Sequence, residues 1–457
     1  MSQSELVDTK EDLIRYFESG AKPREQWRVG TEYEKVAVSA SDGTALPYSG
    51  PNGVERILRE LIERFGWELE SEENGHPLAL KRGPARITIE PGAQIELSGE
   101  QCETIHCAHD EFSQHVAELT DVGHSHDAAV LGLGMTPISR LYQIEIIPKH
   151  RYHIMYPYMA RKGRLGQRMM KQTAGVQANL DYSSEGDAMR KLRVSMGIVP
   201  LLYAMFANSP MMDGTLNGFQ SFRGHIWTDT DPDRCGMLEF VFHERAGFED
   251  YADYALDVPM YFIIRDHKYV DMTQPPGITF RQYMERGFGK ERATIEDWGD
   301  HLTTIFTEVR LKKYIESRTA DSQPPALMLA LPALLKGILY SEDCIEGVWD
   351  LVKRWSFEER IEINNASHKG GLEARVGKTP LKDLCTELLT IANAGLQRQK
   401  ALNQRGEDET IYLYRLMDQV RSGYSQAALT INKWKGRWNY DIKRLVEGTS
   451  YEAEVWP

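Results

Sequence analysis

Residues 27–38, with the sequence WRVGTEYEKVAV, decide the fold of the first part of the chain. Aromatic, β-branched and polar residues alternate there as they do in a half-buried β-strand. Glu32 and Glu34 are two positions apart, so both side chains point to the same face of that strand. Neighbouring carboxylates repel each other and are costly on a half-buried face unless cations neutralise them. The stretch therefore predicts a strand with one acidic face.

Outward from this strand, the first two-thirds of the chain alternates strand-like and helix-like stretches. Further strands are predicted at 86–97, 128–134, 173–182, 237–243 and 310–318. Helices are predicted at 10–19, 53–66, 101–122, 186–207 and 249–257. Strands joined by long and variable connections favour an α+β fold with a largely antiparallel sheet.

After about residue 323 the strand-like alternation fades, and helix-like patterns dominate, notably at 379–402 and 410–421. The stretch SQPP at 322–325 is the best candidate for a boundary. We therefore expect an α+β catalytic region over 1–322 and a mainly helical region over 323–457, packed together as one compact unit.

Composition excludes several classes of protein. Of the 457 residues, 41% are hydrophobic and 26% are charged, which is typical of a folded globular chain. The formal net charge of −13 argues against a general nucleic-acid binder. No signal peptide or apolar run of about 20 residues is present, so we expect a cytoplasmic protein with no membrane partner. The five cysteines are too few and too scattered to predict a disulfide framework.

Polar side chains with the same two-residue spacing recur in other predicted strands. The sets are Glu90 with Gln94 and Glu96, Gln177 with Asn179 and Asp181, and Glu316 with Arg318. Oxygen ligands from several strands suit Mg²⁺ or Mn²⁺ holding nucleotide phosphates. A guanidinium can clamp two phosphate oxygens, which suggests a role for Arg318 on the phosphate charge. The residues thus predict metal-dependent phosphoryl transfer, without naming the acceptor.

Long strings around these residues make the chain similar to the glutamate–cysteine ligase family of the plant and proteobacterial type. They are GTEYEKVAV (30–38), IEPGAQIELSG (89–99), QANLDYSSE (177–185), MFANSP (205–210), NGFQSFRGHIWTDTDPDRCGMLEFVF (217–242), YALDVPMYF (254–262) and DHLTTIFTEVRLKKYIESR (300–318). Strings of that length, in that order, do not arise by chance. The resemblance spans roughly 25–340 and is weaker in the C-terminal helices.

This resemblance implies a fold of the glutamine-synthetase type, in which a curved antiparallel sheet forms a half-barrel flanked by helices. It implies L-glutamate, L-cysteine and ATP as substrates and Mg²⁺ or Mn²⁺ as cofactor, in the first step of glutathione synthesis. Carried over residue by residue, the implied metal ligands are Glu32, Glu34, Glu90, Glu96, Gln177 and Glu316. The implied substrate contacts are Arg223 to the glutamate carboxylate and Arg151 and Tyr261 in the cysteine pocket. Trp227 and Asn179 are implied substrate contacts elsewhere in the site. The implied catalytic cations are Arg223 and Arg318.

The mechanism implied by the family is sequential. The γ-carboxylate of glutamate attacks the γ-phosphate of ATP, and the amine of the second substrate then displaces phosphate from the resulting γ-glutamyl phosphate. Metals and arginine stabilise the charge that develops. No protein nucleophile is needed, which agrees with the absence of a nucleophile motif such as G-x-S-x-G.

Two other interpretations stay open. A sister ligase would run the same chemistry with another amine, and Ala178, Cys235 and Glu239 motivate it because they depart from the family's usual strings near the expected pocket. A catalytically dead scaffold or regulatory subunit is the other, although such a protein has no reason to keep several costly carboxylates together. We expect a monomer or a homodimer.

Overall fold

The computed structural model describes residues 5–275 and 277–453. Its main feature is a nine-stranded sheet in which all paired neighbours are antiparallel. The strands are β1 (Val29–Ser39), β2 (Glu68–Glu73), β3 (His76–Arg82), β4 (Ala85–Ile89), β5 (Ile95–Ser98), β6 (Ala128–Leu131), β7 (Gly175–Leu180), β8 (Val309–Leu311) and β9 (Ile315–Asp321).

The strand order is β8-β9-β7-β1-β5-β4-β3-β2, and β6 pairs with the far end of β1. The sheet does not close on itself, so the fold is mixed helix and antiparallel open sheet, as predicted. The long strand β1 lies near the middle and pairs with β5 on one side and β7 on the other. Every acidic side chain of β1 therefore has a strand on each side of it.

Helices surround the sheet and make up most of the chain after β9. They are α1 (Lys10–Glu18), α2 (Val54–Phe65), α3 (Ile105–His124), α4 (His150–Lys162), α5 (Gly166–Gln172), α6 (Glu185–Gly197), α7 (Val199–Phe206), α8 (Phe222–Trp227), α9 (Phe248–Asp257), α10 (Phe280–Arg286), α11 (Ile295–Thr303), α12 (Pro325–Met328), α13 (Ala330–Leu339), α14 (Glu342–Val352), α15 (Phe357–Gly370), α16 (Leu381–Gln399), α17 (Ile411–Ser422), α18 (Gln426–Lys435) and α19 (Ile442–Thr449). No helix of the described residues is long and apolar enough to cross a membrane.

The two faces of the sheet have different environments. On one face Tyr33 of β1 is fully buried and its ring lies 4.5 Å from that of Phe112 in α3. The entirely buried helix α13 packs against β7 and completes this side of the core. Because side chains alternate along a strand, Glu32 and Glu34 must point away from this core, to the other face. That face carries the candidate site.

The structure differs from the predicted elements in a few places. Residues 237–243, predicted as a strand, contain a short 3₁₀ helix over Glu239–Phe242. The strand predicted at 310–318 is a tight hairpin of β8 and β9, and the helix predicted at 186–207 is two helices that meet at Ile198. Apolar content predicted these segments, but periodicity alone does not show where a buried segment turns.

Candidate functional site

A cavity of about 310 Å³ lies on the acidic face of the sheet. Its wall includes the predicted acids Glu32, Glu34, Glu90 and Glu96 together with Gln177. Strand pairing explains why they meet, since Glu32 lies opposite Gln177 on β7 and Glu34 lies opposite Glu96 on β5. Glu90 joins them because a turn at 90–94 connects β4 and β5 beside the same face.

None of the four carboxylates that line the cavity makes an ion pair with a described residue; their partners are neutral donors. Glu34 accepts from the backbone N–H of Gly175 at 2.5 Å and from Gln177 Nε2 at 3.2 Å. Glu32 accepts from Asn179 Nδ2 at 3.0 Å, and Glu96 accepts from Thr88 Oγ1 at 2.6 Å. Four acids close together without a cation are unstable as carboxylates.

Two of these acids, Glu34 and Glu96, have raised pKa values. Burial, reinforced by the charge of Glu90, raises the pKa of Glu34 to about 7. Burial, followed by the charge of Glu32, raises the pKa of Glu96 well above its usual range. In both cases burial has a larger effect than the neighbouring carboxylates, and a bound cation would favour the charged form of each acid.

The donor set fits Mg²⁺ or Mn²⁺, which prefer hard oxygen ligands. Among the described residues, no three of these carboxylates bring oxygen atoms within 4.8 Å of one another. The oxygens are instead spread along the cavity wall. That spacing suits ions that take one or two protein carboxylates each and complete their coordination with water and substrate phosphate.

Glu316 lies beside this group but has different partners. Its fully buried carboxylate is bonded to Arg310 Nη2 and to Arg318 Nη1, both at 2.5 Å, and to Lys312 Nζ at 2.8 Å. Burial alone would raise the pKa of Glu316, but these positive charges outweigh it and hold the pKa well below the usual range. The structure thus places Glu316 at the centre of a cation cluster, where the predicted metal ligation would compete with three ion pairs.

Gln177 is also engaged within the protein. Its Oε1 accepts from Arg318 Nη1 at 2.5 Å, while its Nε2 donates to Glu34. The amide oxygen, which was the predicted metal ligand, is therefore occupied by the arginine. Gln177 links the predicted phosphate-binding cation to the carboxylate group.

Arg223 lines the same cavity and is almost fully buried at the start of α8. Its Nη1 donates to the carbonyl of Thr319 at 3.1 Å and its Nη2 to the carbonyl of Arg318 at 3.0 Å. Asp321 lies 3.9 Å from Nη1. The guanidinium is fixed against the backbone of β9, and Nε has no hydrogen-bond partner among the described residues. This is the rigid arrangement that a bidentate carboxylate contact requires.

The other predicted substrate contacts divide between two places. Trp227 and Arg151 line the main cavity, as expected. Tyr261 does not line the cavity and is buried behind its wall. Arg234 Cζ lies 3.8 Å from the centre of the Tyr261 ring. The Tyr261 hydroxyl donates to Met159 Sδ at 3.7 Å. Tyr261 therefore lies behind the cavity wall and not among the residues that line it, and its contact with cysteine stays a prediction.

Asn179 lines a second, smaller cavity of about 110 Å³ that extends along the same face of the sheet. Glu32 and Ser98 belong to the walls of both cavities, so the two are adjacent. Asp181 and Tyr314 complete the polar and aromatic lining of the smaller one. The two-residue spacing of Gln177, Asn179 and Asp181 thus runs from one cavity into the next.

Several cavity residues were not anticipated from the sequence. They are Lys149, Met155, Met169, Met170, Arg310 and Lys312. The methionines carry no pattern that distinguishes a pocket wall from a core, and Lys149 precedes α4 in a loop. Arg310 and Lys312 had a usable signal, because they flank Leu311 at the end of β8, just before the turn that leads to Glu316.

The sequence predicts no disulfide framework, and the described residues contain a single disulfide. Cys102 and Cys107 are joined, with Cα atoms 5.8 Å apart. The two cysteines are only 5 residues apart, and the chain turns between β5 and α3 to bring them together. Two backbone hydrogen bonds hold Cys102 beside Val29. Cys107 lies in the first turn of α3. The preceding residues Gly99 and Gln101 line the smaller cavity, so the disulfide fixes one of its edges.

Comparison with known proteins shows which family this chain is similar to. The sequence profile of glutamate–cysteine ligase family 2 matches residues 28–448. The chain is 41% identical to a chloroplastic glutamate–cysteine ligase of Oryza sativa subsp. japonica, with 97% of this chain and 87% of the relative covered. It is 42% identical to a chloroplastic glutamate–cysteine ligase of Brassica juncea, with 97% and 84% covered.

A solved structure supports the fold. A glutamate–cysteine ligase of Francisella tularensis, determined in complex with AMP, superposes with a TM-score of 0.53 at 15% identity. The alignment covers 94% of this chain and 90% of that one. At that identity the likeness speaks for the fold alone.

Proposed function

The chain belongs to glutamate–cysteine ligase family 2, and we propose that it joins the γ-carboxyl of L-glutamate to the amine of L-cysteine with consumption of ATP. This reaction is the first step of glutathione synthesis. The observation that carries the proposal is the group of four unpaired carboxylates lining a cavity whose other walls supply arginine and lysine. Such a cavity can gather metal-bound phosphates and anionic amino acids in one place.

Divalent metal, bound by the carboxylates Glu32, Glu34, Glu90 and Glu96, would neutralise the phosphate charge of ATP. Arg318 lies across from them, bonded to Gln177, and is placed to stabilise the phosphoryl group as charge develops. Arg223 would hold the glutamate carboxylate, because its guanidinium is already oriented by two backbone carbonyls. The residues of the protein thus orient the substrates and neutralise their charges, and the substrates themselves supply the nucleophiles.

The chemistry then follows from the substrates. A γ-carboxylate oxygen of glutamate forms a bond to the γ-phosphorus of ATP as the bond to ADP breaks. The amine of cysteine attacks the activated carbonyl, loses its proton, and releases inorganic phosphate. We further propose that the nucleoside of ATP lies in the smaller cavity, since Glu32 and Ser98 line both cavities and the phosphates are drawn to the larger one.

The three residues that motivated the alternative of another amine substrate do not line the cavity. Ala178 is buried on the face of β7 opposite to the cavity, and neither Cys235 nor Glu239 is among the residues that line it. The alternative of an inactive scaffold is disfavoured by the unpaired carboxylates, because a protein without a bound cation has no use for several buried acids close together. The half-barrel form of the sheet, the identity of the metal, the cytoplasmic location and the monomeric or dimeric state stay predictions.

The test is ADP release, coupled to a spectroscopic readout, with glutamate and a panel of amines in the presence of Mg²⁺. We expect ADP release that depends on both glutamate and cysteine, with γ-glutamylcysteine identified as product by mass. Turnover with a different amine, and none with cysteine, would favour the sister ligase. Absence of ADP release with every amine would favour the inactive scaffold.

A further inference from the structure

Six cationic side chains line the main cavity, and they fall into two groups according to their partners. Four are bonded to acceptors of the protein itself: Arg310, Lys312 and Arg318 to Glu316, and Arg223 to backbone carbonyls. The other two are Lys149 and Arg151, neither of which makes a hydrogen bond or ion pair with any residue in 5–275 or 277–453. The structure therefore leaves two positive charges free for a ligand.

Lys149 and Arg151 lie together at the N-terminal end of α4, where Lys149 is the N-cap residue. Their neighbours are aromatic faces: Lys149 Nζ lies 5.2 Å from the ring centre of Tyr152, and Arg151 Cζ lies 5.4 Å from that of Phe262. These rings stabilise and position the cations but contribute no negative charge. The N-terminal end of the helix adds positive potential at the same place.

Burial makes this arrangement unfavourable without an anion. Arg151 Nε is buried and has no hydrogen-bond partner among the described residues. Burial, with the adjacent charge of Arg151, lowers the pKa of Lys149, while the charges of Glu90, Glu96 and Glu73 act in the opposite direction. None of these acids is bonded to Lys149 or Arg151, so a negatively charged group bound directly between the two cations would relieve their mutual repulsion.

The surroundings indicate which substrate brings that group. The thioethers of Met155, Met169 and Met170 and the ring of Trp227 line the same cavity, and they offer apolar and polarisable contacts. Phosphate oxygens would be better served near Arg318 and the four carboxylates, where a divalent metal would bind. Arg223, on β9's side of the cavity, is the expected partner of glutamate. A small amino acid with a soft side chain and a free carboxylate suits the Lys149 end.

We propose that Lys149, together with Arg151, binds the α-carboxylate of the amino acid that supplies the attacking amine. Lys149 is then a specificity residue, which restricts the acceptor to α-amino acids and disfavours simple amines. A carboxylate held between the two cations would orient the neighbouring amine relative to the activated glutamate. This inference rests on the proposed ligase function.

The experiment compares the wild type with Lys149→Met, which keeps the length of the side chain and removes its charge. Steady-state kinetics are measured with cysteine and with cysteamine, which has the same thiol and amine but no carboxylate. We expect Lys149→Met to raise KM for cysteine about tenfold or more, with KM for glutamate and for ATP changed less than about twofold. The preference for cysteine over cysteamine, as a ratio of kcat/KM, should fall by about tenfold as well.

Two variants serve as controls. Lys149→Arg keeps the charge and should retain more of the preference for cysteine than Lys149→Gln, which keeps a polar group without charge. Lys162→Met alters a lysine of the same helix that is paired with Asp233 outside the cavity, and it should leave both ratios unchanged. Circular dichroism of each variant establishes that it is folded.

The outcomes distinguish this inference from the proposed function. An unchanged cysteine-to-cysteamine ratio in folded Lys149→Met would overturn the role of Lys149, and so would a rise confined to KM for ATP or for glutamate. Absence of γ-glutamylcysteine formation by the wild type would instead contradict the proposed function itself.

Discussion

Arg318 and Glu316 lie two residues apart on β9, and Nη1 of the arginine meets Oε1 of the glutamate at 2.5 Å. The pair shows that the acids of this site serve two purposes. Glu316 neutralises and orients the cations on the β8–β9 side, whereas the acids of β1 and β5 have no cation of their own. Changes at the two kinds of acid should therefore have different consequences.

Replacing an unpaired acid should abolish turnover and leave the fold intact. For Glu32→Ala and Glu34→Ala we expect a loss on the order of 10³-fold in kcat/KM, because each removes a ligand for the metal that holds the phosphates. Initial rates at saturating Mg²⁺ measure this, and Glu68→Ala on the exposed edge strand β2 is the control. Near-normal activity of both variants would rule out the assignment of these acids.

Replacing Glu316 should instead destabilise the protein. Glu316→Ala leaves Arg310, Lys312 and Arg318 without their shared buried carboxylate, which should lower the free energy of unfolding by about 3–5 kcal/mol. Urea unfolding of the wild type and the variant measures the difference. An unchanged midpoint together with lost activity would instead support the prediction that Glu316 is a metal ligand.

Arg223 should not be replaceable by lysine. The guanidinium spans the carbonyls of Arg318 and Thr319 and still presents nitrogen atoms to the cavity, and a single ammonium cannot do both. We expect Arg223→Lys to raise KM for glutamate with a smaller effect on ATP. A rise in KM confined to ATP would indicate that Arg223 contacts the phosphates and not glutamate.

The acceptor pocket should tolerate a methyl group in place of the thiol. Cysteine offers only weak hydrogen bonding through sulfur, so its recognition depends on shape and on its carboxylate. Discrimination by a fitted apolar wall amounts to roughly 1–3 kcal/mol. We therefore expect 2-aminobutyrate to be a substrate with reduced kcat/KM, measured by ADP release, and its complete inactivity would show that the thiol itself is recognised.

Acid should destabilise the protein in part through His368. Burial, with a smaller effect of His225, lowers the pKa of His368 to about 3, while the unfolded residue titrates near its ordinary value of 6.5. The folded state therefore binds fewer protons, and its stability, complete above about 6.5, is lost as the pH falls towards 3. We expect His368→Phe to reduce the pH slope of the unfolding free energy by up to about 1.4 kcal/mol per pH unit in that range.

Chemical denaturation at several pH values gives that slope. Tyr203 packs edge-on against His368 with ring centres 4.3 Å apart, so phenylalanine can keep the contact while removing the titration. An identical slope in wild type and variant would contradict the assignment.

The acidic face was predictable because strand periodicity is a local property. The alternation around Glu32 and Glu34 fixed which face they share, and pairing with β5 and β7 then brought in Glu96 and Gln177. Partners that lie across a hairpin were not predictable in the same way. Spacing shows that Glu316 is an acid of the same sheet, but not that Arg310 and Lys312 turn towards it, and its metal ligation stays a prediction.

Other differences have similarly specific causes. The Cys102–Cys107 disulfide depends on how the chain turns before α3, which no cysteine count reveals. Residues 237–243 are apolar enough for a strand, but the chain coils there instead of pairing with the sheet. Lys149 lies in a loop, and only its unpaired position in the cavity indicates a role.

Activation of glutamate as a γ-glutamyl phosphate moves an oxygen atom from glutamate to phosphate, and an isotope label follows that atom. Glutamate labelled with ¹⁸O in its γ-carboxyl is incubated with ATP, Mg²⁺ and cysteine, and the inorganic phosphate is analysed by mass spectrometry. We expect each phosphate released to carry one ¹⁸O atom, because the carboxylate oxygen that attacked phosphorus leaves with it. Phosphate without ¹⁸O, formed while γ-glutamylcysteine accumulates, would contradict it.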